Sequence, residues 1–498
     1  MTAGAAGGRS DVPIEARSGL DAWERAELPE PPVPKGLAWL GVVGPGVIVL
    51  GLSIGSGEFL LGPATFVKHG LTLLWVTLVA VFFQTMFNLE LMRYTIATGE
   101  PVFTGFMRTR PSAKGWAVFY TVLMFFQTGW PAWAATAAGA VFFLLERRLA
   151  TPADAAMVYY IGCASFLFCV AVLLFGRRIE RTLELLNWVM VTCVLAALLL
   201  LAIAFVPGPT WLAGIAGFGG YDTTQASFSY LPSGVDFILL AALVGYSGAG
   251  GVTNIALSNW ARDKGYGMGE RAGYIPAVVG GKRVKLAHTG FTFSVTDEAL
   301  RRWRGWWRIV KADQWGVFFC GAVLGMLLPA ILYVTFLPRG TDIRGLGIAA
   351  ALAQSVGERA GPLLAGGIAL LGAWLLLKTQ LDSIEALTRA STDILWTSSR
   401  RIRDWRGGDV RAVYYTVLGA VAVWGMIALR IAQPIVLLQL GANVAGAVFI
   451  IAALHLLYIN TTLLPVELRP SLARRAALVG MALFYGFFTT LSLQRLLS

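Results

Sequence analysis

Ionisable side chains are scarce in this chain of 498 residues: only 14% are charged, whereas a soluble domain carries about 25%. This scarcity excludes an ordinary soluble domain. The 56% content of hydrophobic residues excludes intrinsic disorder, which needs low hydrophobicity and high charge. Only four cysteines and three histidines are present, in no CxxC pair or Cys/His cluster, so neither a zinc site nor a disulfide framework is expected. All four cysteines lie in apolar runs, where we expect buried packing residues: Cys163, Cys169, Cys193 and Cys320.

The first 35 residues lack the apolar segment and the small-residue cleavage site of a secretory signal. They contain four basic and six acidic residues, together with Pro31, Pro32 and Pro34. We therefore expect residues 1–35 to form a short, polar, cytoplasmic tail.

Long apolar stretches are the dominant feature, and the mean hydropathy is +0.67. A membrane-spanning helix needs about 20 mostly apolar residues. Eleven stretches meet or approach this length: 38–67, 71–96, 115–145, 156–176, 182–206, 235–259, 314–336, 361–380, 410–430, 433–458 and 475–497. No alternating pattern typical of a membrane β-barrel is seen. The sequence predicts an all-α, multi-pass integral membrane protein with about 11 transmembrane helices.

The distribution of Lys and Arg predicts the orientation. If the tail is cytoplasmic, 32 of the 40 basic residues fall on its side and eight on the other. Cytoplasmic loops carry such an excess, so we expect the N-terminus inside and the C-terminus outside, in the inner (plasma) membrane of a bacterium. The net charge of +12 then reflects orientation, and no nucleic-acid partner is expected.

Two of the predicted helices contain residues that disfavour regular helix. Helix one carries Gly44-Pro45-Gly46 and then Gly55-Ser56-Gly57-Glu58, while helix six carries a glycine cluster over residues 245–251. Paired broken helices, one in each half, are typical of secondary transporters with inverted repeats. The expected plan is a 5+5 inverted repeat with broken helices 1 and 6, plus helix 11. Its parts are 36–206, an outside loop 207–234, 235–458 with a basic cytoplasmic loop 260–313, and 459–498.

The same glycines have a second interpretation, because small residues four apart also allow helices to pack closely. Glu58 favours the first interpretation, since it is the only ionisable residue between Lys35 and Lys68. An intramembrane charge is costly and usually marks a substrate or ion path. A carboxylate beside freed backbone carbonyls forms an oxygen-rich cation site or a proton acceptor.

The predicted substrate site combines both breaks and their neighbours: Gly55, Ser56, Gly57, Glu58, Gly248, Gly250, Gly251, Thr253 and Asn254. Within it, Glu58, Gly55 and Asn254 are the predicted metal ligands. For Gln127, Gln439 and Asn443 two roles stay open, lining the cavity or hydrogen bonding between helices.

Other charges in the apolar stretches have simpler explanations. Glu90 and Arg93 have the i, i+3 spacing of an ion pair on one helix. Lys378, Asp382 and Glu385 share one face of helix eight, and we expect this face to be solvated or to line a vestibule. The basic, tryptophan-rich stretch 301–311 suits an interfacial helix that anchors the chain at the lipid surface.

In its first predicted helix, and at the start of three others, the chain resembles the Nramp (natural-resistance-associated macrophage protein) family of divalent metal transporters. Gly44-Pro45-Gly46 followed by Ile54-Gly55-Ser56-Gly57-Glu58-Phe59 is similar to the family's first-helix signature, a Gly-Pro-Gly followed by Asp-Pro-Gly-Asn. The openings of helices two, five and six fit as well, at Leu71–Trp75, Arg178–Glu180 and Gly248-Ala249. The resemblance implies an eleven-helix secondary transporter of divalent metal ions.

The chain departs from the family pattern at the site itself. The family's Asp, Pro and Asn align with Gly55, Ser56 and Glu58, and the sixth-helix Met-Pro-His is missing. Loss of the thioether leaves oxygen ligands, which suit Mg²⁺, Ca²⁺ or Mn²⁺. Helix three has no carboxylate between Lys114 and Glu146, where the family has proton-route acids, so coupling to protons is left open.

The sequence therefore predicts a transporter that moves a divalent cation by alternating access, with no cofactor beyond the transported ion. The same fold with an amino acid or small organic anion as cargo is the alternative, because helix N-termini attract carboxylates. An enzyme is not expected, since no nucleophile–base pair or His/Cys metal cluster is visible.

Overall fold

The computed structural model describes residues 13–175, 179–277, 286–341, 343, 347–431 and 434–497. Most of these residues are helical, and ten helices are long and apolar enough to cross a membrane. These ten correspond to ten of the predicted stretches. The remaining stretch, 235–259, contains two shorter helices, of which Phe237–Tyr246 is apolar. The prediction of an all-α, multi-pass integral membrane protein is confirmed.

The first half of the bundle contains helices one to five. Their bounds are: helix one, Pro45–Ser53, Ile54–Leu61 and Gly62–His69; helix two, Leu74–Thr98; helix three, Ala113–Thr128 and Ala132–Glu146; helix four, Ala155–Val172; helix five, Ile179–Phe205. Pro45 is the first residue of helix one, where a missing N–H costs no hydrogen bond. Arg178, part of the expected opening of helix five, lies outside the described residues.

The second half contains helices six to eleven. Their bounds are: helix six, Phe237–Tyr246 and Val252–Lys264; helix seven, Asp297–Lys311, Ala312–Phe319 and Cys320–Phe336; helix eight, Pro362–Ser398; helix nine, Val410–Ala428; helix ten, Pro434–Thr462; helix eleven, Leu472–Leu497. Shorter helices connect them at Val102–Met107, Gly208–Gly217, Gly269–Ala272, Ile348–Ala360 and Arg400–Arg403. Two small sheets are present: Glu24–Arg25 pairs in parallel with Phe291–Thr292, and Tyr221–Asp222 pairs antiparallel with Ser227–Phe228.

Helix one lies at the centre of the bundle. All residues in its most apolar window are buried, against 28% in the corresponding windows of helices four, five and nine. Those outer helices present leucines, valines and isoleucines on surfaces suited to lipid, as Leu200 and Ile203 do. Of the cysteines, Cys163 and Cys169 are buried as expected, but Cys193 and Cys320 are exposed on the bundle surface, so the expectation was wrong for these two.

The described part of the N-terminal tail, residues 13–35, is attached to the face of the bundle that carries Arg108 and Trp306. We call this surface the tail face. Arg108 holds it by donating to the carbonyl oxygens of Glu15 and Asp21, at 2.8 and 2.9 Å. The same guanidinium pairs with Glu100. Burial of Glu100 acts to raise the pKa of its carboxyl, but the Arg108 charge and the hydrogen bonds from Arg108 and Tyr94 together hold the pKa below its usual value. The tail is therefore fastened through a buried ion pair.

The tryptophan-rich stretch at the start of helix seven packs against other parts of the protein. Trp303 and Trp306 are buried, and the Trp306 indole N–H donates to the carbonyl of Pro29 in the tail, at 2.9 Å. The guanidinium groups of Arg93 and Arg474 both stack on Trp307, at 4.4 and 4.6 Å from its ring centre. Two of the three tryptophans are thus covered by protein, which the interfacial interpretation did not anticipate.

Candidate functional site

Helix six is interrupted as predicted. Its first half ends at Tyr246 and its second half begins at Val252. Between them Gly248, Gly250 and Gly251 have φ angles of 103°, 89° and 50°. These left-handed values are accessible to glycine at little cost and are strained for other residues. The glycine cluster is therefore what allows the chain to leave the helix at this level of the bundle.

Helix one does not unwind, and this part of the expectation was wrong. Residues Ile54–Leu61 form a π-helix that joins regular helix on both sides, and the Gly62 N–H bonds to the carbonyl of Gly57, five residues earlier. A π-helix widens the turn while keeping the amides bonded within the chain, so the backbone polar groups need no other partners. Such wide turns occur frequently at functional sites.

The glycines of helix one serve close packing. A Cβ atom on Gly57 would lie 2.1 Å from the Tyr246 carbonyl oxygen, at the end of the first half of helix six. A Cβ atom on Gly55 would lie 1.8 Å from the Thr379 hydroxyl oxygen on helix eight. The close-packing interpretation thus explains Gly55 and Gly57, and their contacts bring the widened turn of helix one directly against the break in helix six.

Glu58 lies at this junction and is completely buried. The Ser53 hydroxyl donates to one of its carboxylate oxygens, Oε1. The other oxygen, Oε2, has no hydrogen-bond partner among the described residues, and the Gly248 amide of the helix-six break lies beside the carboxylate. Gly325 of helix seven covers the methylene stem, with its Cβ position 3.7 Å from Cγ. A buried acceptor without a partner is costly, so Oε2 is an atom that a ligand could satisfy.

The other predicted ligands are placed differently. The Ser56 hydroxyl donates to the Leu52 carbonyl at 2.7 Å, and the Thr253 hydroxyl donates to the Ala249 carbonyl at 2.6 Å. Both hydroxyls are thus bonded to backbone carbonyls four residues earlier in the chain. Asn254 donates to Asn88 of helix two at 2.9 Å, and its own Oδ1 is buried and without a partner. Its oxygen is thus unused, and among the described residues no hydrogen bond joins Asn254 to Glu58.

Two glutamines bond to the open ends of the break in helix six. Gln127 bonds on both sides of the break: its Nε2 donates to the Gly250 carbonyl at 2.8 Å, and its Oε1 accepts from the Val252 amide at 2.9 Å. Gln84 of helix two donates to the Ser247 carbonyl at 2.6 Å and keeps a buried Oε1 without a partner beside Gly248. The sequence singled out Gln127 but missed Gln84, which carries no charge and lies in an uninterrupted apolar helix.

Asn443 belongs to the contact between helices, whereas the Gln439 amide nitrogen is buried without a partner among the described residues, so its two roles stay open. Asn443 donates to the carbonyls of Gln439 and Ile238, at 2.9 and 3.3 Å, and accepts from Ser492 of helix eleven at 2.8 Å. Asn443 therefore joins helices six, ten and eleven, which agrees with a role in hydrogen bonding between helices.

The Gln127→Ala variant should lose both bonds across the break. Each buried backbone group left without a partner costs about 1–3 kcal/mol, so we expect a lower unfolding temperature for the purified protein. The exposed Gln225, changed to Ala, is the matched control and should leave this temperature unchanged. Equal unfolding temperatures for the two variants would contradict the assignment of Gln127 to the break.

The charged face of helix eight is buried, so the expectation of a solvated face was wrong. Lys378, Asp382 and Glu385 are 4%, 0% and 0% exposed. Glu385 accepts from the Trp260 indole at 2.6 Å and from Arg389. Helices five and six supply complementary polar groups that enclose this face. The Glu90–Arg93 ion pair, by contrast, is present as predicted, at 2.7 Å.

The site has the chemistry of an oxygen-rich cation site with one charge. Within the described ranges, no group of three or more His, Cys, Asp or Glu side chains could hold a metal ion. A cation bound at Glu58 would therefore take one carboxylate and otherwise neutral oxygens. Ligands of that kind suit hard divalent ions better than soft ones.

Comparison with known proteins gives a structural match without a sequence match. No protein-family model matches the chain, and no curated protein matches it in sequence. The manganese transporter of Eremococcus coleocola, solved with an aromatic bis-isothiourea compound, aligns over 92% of this chain and 88% of its own, with 14% identity and a TM-score of 0.62.

Two variants of that transporter align over 95% of this chain and 90% of their own. One has a histidine changed to alanine (12% identity, TM-score 0.64), and the other a glutamate changed to glutamine (13% identity, TM-score 0.64). At this identity the likeness concerns the fold. The chain thus has the predicted fold class, a leucine-transporter-like all-α membrane fold.

Proposed function

We propose that the protein is a secondary transporter that moves a divalent metal cation, of the Mg²⁺ or Mn²⁺ type, by alternating access, as a divergent relative of the Nramp family. The observation that carries the proposal is the Glu58 carboxylate, buried at the centre of the bundle with one oxygen unpartnered beside the break in helix six. The fold shared with a manganese transporter supports a metal as the cargo.

In the proposed site, Glu58 supplies the negative charge, and the unpartnered amide oxygen of Gln84, which like Glu58 lies beside Gly248, is the neutral candidate. Asn254 stays a proposed ligand through its own unpartnered oxygen. The site is occluded in this structure, because Glu58, Ser247 and Asn254 are each 0% exposed. Alternating access requires the packed glycines of helix one to separate from helices six and eight on one side at a time.

The same carboxylate argues against the alternative cargo. An organic anion would bring a second negative charge into a buried site that already contains one, and like charges in a buried site repel strongly. An amino acid is a zwitterion of no net charge and would leave the charge of Glu58 unbalanced. A metal cation instead balances the charge of Glu58 and coordinates its unpartnered carboxylate oxygen.

We also propose that the tail face is cytoplasmic and that the protein lies in a bacterial inner membrane. The stretches assigned to the tail side contain 32 of the 40 basic residues, and cytoplasmic loops carry such an excess. Proteolysis of sealed inside-out and right-side-out vesicles tests this orientation: cleavage within residues 13–35 is expected only in inside-out vesicles.

Uptake into proteoliposomes tests the cargo. The purified protein should take up Mn²⁺ or Mg²⁺ above empty liposomes, and unlabelled competing divalent cations should reduce this uptake. Amino acids supplied at the same concentration should neither be taken up nor compete. Accumulation of an amino acid without any metal uptake would contradict the proposal, and a trapped pH dye in the same vesicles reports whether protons accompany the metal.

A further inference from the structure

A cavity on the tail face, to which Glu58 does not contribute, lies between the tail and the ends of two membrane-spanning helices. It is lined by residues 18–21 of the tail, the start of helix three, the end of helix eight and the short helix Arg400–Arg403. Its volume is about 350 Å³, and cavities that bind small molecules measure about 300–1,000 Å³. The space is therefore large enough for a small-molecule ligand.

The charges around this cavity are mainly positive. Among the described residues that line it, Lys114, Arg400 and Arg403 are cations, and Asp21 is the single acid. The Asp21 carboxylate is already engaged, because one of its oxygens lies 3.0 Å from Nε2 of His288. The lining thus has an excess of positive charge that it does not balance itself, which favours an anion as the ligand.

Two of these cations are well placed to bind an anion. Nη1 of Arg403 donates to the carbonyls of Trp396 and Thr397, at 3.1 and 3.0 Å, which fixes the guanidinium. Its Nε and Nη2 have no partner among the described residues and stay available as donors. Lys114 is exposed in the first turn of helix three, which contains no acid. A cation is unfavourable at the positive end of a helix, so a bound anion there would stabilise both.

Unpartnered hydroxyl groups also line the cavity. Oγ of Ser18 is buried and has no hydrogen-bond partner among the described residues. The Ser18 carbonyl accepts from the Ala113 amide at 3.4 Å, which joins this part of the tail to helix three. Thr397 is 8% exposed, and its hydroxyl forms no hydrogen bond within the described part of the chain. A buried polar group without a partner needs an explanation, and a missing ligand is one.

From these observations we propose that the cavity binds the phosphoryl group of a small soluble molecule. A phosphoryl group carries negative charge and three acceptor oxygens, which match the fixed guanidinium, the ammonium and the free hydroxyls. Leu20 is the one large apolar side chain among the described lining residues, so the cavity offers little surface to the acyl chain of a lipid. The bound molecule joins the tail to helices three and eight. This site is separate from Glu58 and does not depend on which cargo is carried.

Thermal unfolding of the purified full-length chain, in phosphate-free buffer containing EDTA, tests the proposal. Inorganic phosphate or adenosine monophosphate should raise the unfolding temperature in a saturable way. Adenosine, or sodium chloride at equal ionic strength, should not. The phosphate compounds should also slow tryptic cleavage within residues 13–25, because the ligand holds the tail against the helices.

Two variants place the site. Lys114→Ala should weaken the binding of inorganic phosphate by at least about tenfold, since it removes a hydrogen bond to a charged group. Thr397→Val keeps the size of the side chain and should weaken binding by about fivefold, the loss expected for one neutral hydrogen bond. The exposed Lys311, changed to Ala, is the matched control and should bind phosphate as the wild type does.

Three results would overturn the proposal. The first is the absence of a shift with both phosphate compounds. The second is wild-type affinity in both Lys114→Ala and Thr397→Val, which would place the binding elsewhere. The third is stabilisation by phosphatidylglycerol micelles but by neither soluble compound, which would identify a lipid headgroup as the ligand. None of these measurements includes metal uptake, so their failure is distinguishable from a failure of the proposed function.

Discussion

Replacing Glu58 by Gln is expected to abolish metal uptake while the protein stays folded. The amide has the size of the carboxylate and keeps an oxygen that can accept from Ser53, so the packing around helix one is retained. What is lost is the one negative charge of the site. Mutation of a residue that only hydrogen-bonds to a metal ligand typically lowers metal affinity by about 10–100-fold. Loss of the anionic ligand itself should therefore lower uptake by more than about 100-fold.

The free energy of unfolding should not fall in this variant, because a neutral amide costs less to bury than a carboxylate. Glu146 is the matched control: it is exposed at the end of helix three, and the same change there should leave uptake unaffected. If liposomes containing the Glu58→Gln variant took up metal at the wild-type rate, Glu58 would not be a ligand of the transported ion.

Replacing Gly248 by Ala should produce the second large effect. At φ of 103° an alanine is strained, and its Cβ atom would lie 2.1 Å from the Gln84 amide oxygen and 2.6 Å from the Gln84 Cδ. Strained backbone of this kind costs about 1–3 kcal/mol, and moving Gln84 also breaks its bond to the Ser247 carbonyl. We expect a lower unfolding temperature and loss of uptake, because the break in helix six is displaced from Glu58.

Gly419 on helix nine is the control for this change, since a Cβ atom there meets nothing within 4 Å. Alanine is favoured over glycine inside a helix by about 1 kcal/mol, so Gly419→Ala should be neutral or stabilising and should transport normally. Normal uptake by Gly248→Ala would show that the conformation of the break is not needed for transport.

The fold was predictable from the sequence because its determinants are local. Runs of about 20 apolar residues report spans directly, and the glycines at 248, 250 and 251 report a break because few other residues adopt their φ angles. Glu58 was equally visible, as a single acid in a long apolar stretch.

Helix one shows where a glycine pattern becomes ambiguous. Gly51, Gly55 and Gly57 have no left-handed φ, and each lies where a neighbouring helix approaches too closely for a side chain. Unwinding and close packing require the same residue type, so composition alone cannot separate them. Only the positions of Asn187, Thr379 and Tyr246 decide between the two.

The polar groups that were missed depend on tertiary contacts. Gln84 is an uncharged residue in a regular helix, and its bond to Ser247 spans 163 positions of the chain. The charges of helix eight follow the i, i+4, i+7 spacing of an exposed face, yet Asn187 and Trp260 enclose them from two other helices. A partner on another helix cannot be recognised from the local sequence pattern.

Crystals of the protein soaked in Mn²⁺ and measured for anomalous scattering test the central claim most directly. We expect one peak at the junction of helices one and six, within about 2.6 Å of the Glu58 carboxylate, and no peak there in Glu58→Gln crystals. A manganese peak elsewhere in the bundle, with the Glu58 carboxylate still unliganded, would contradict the account.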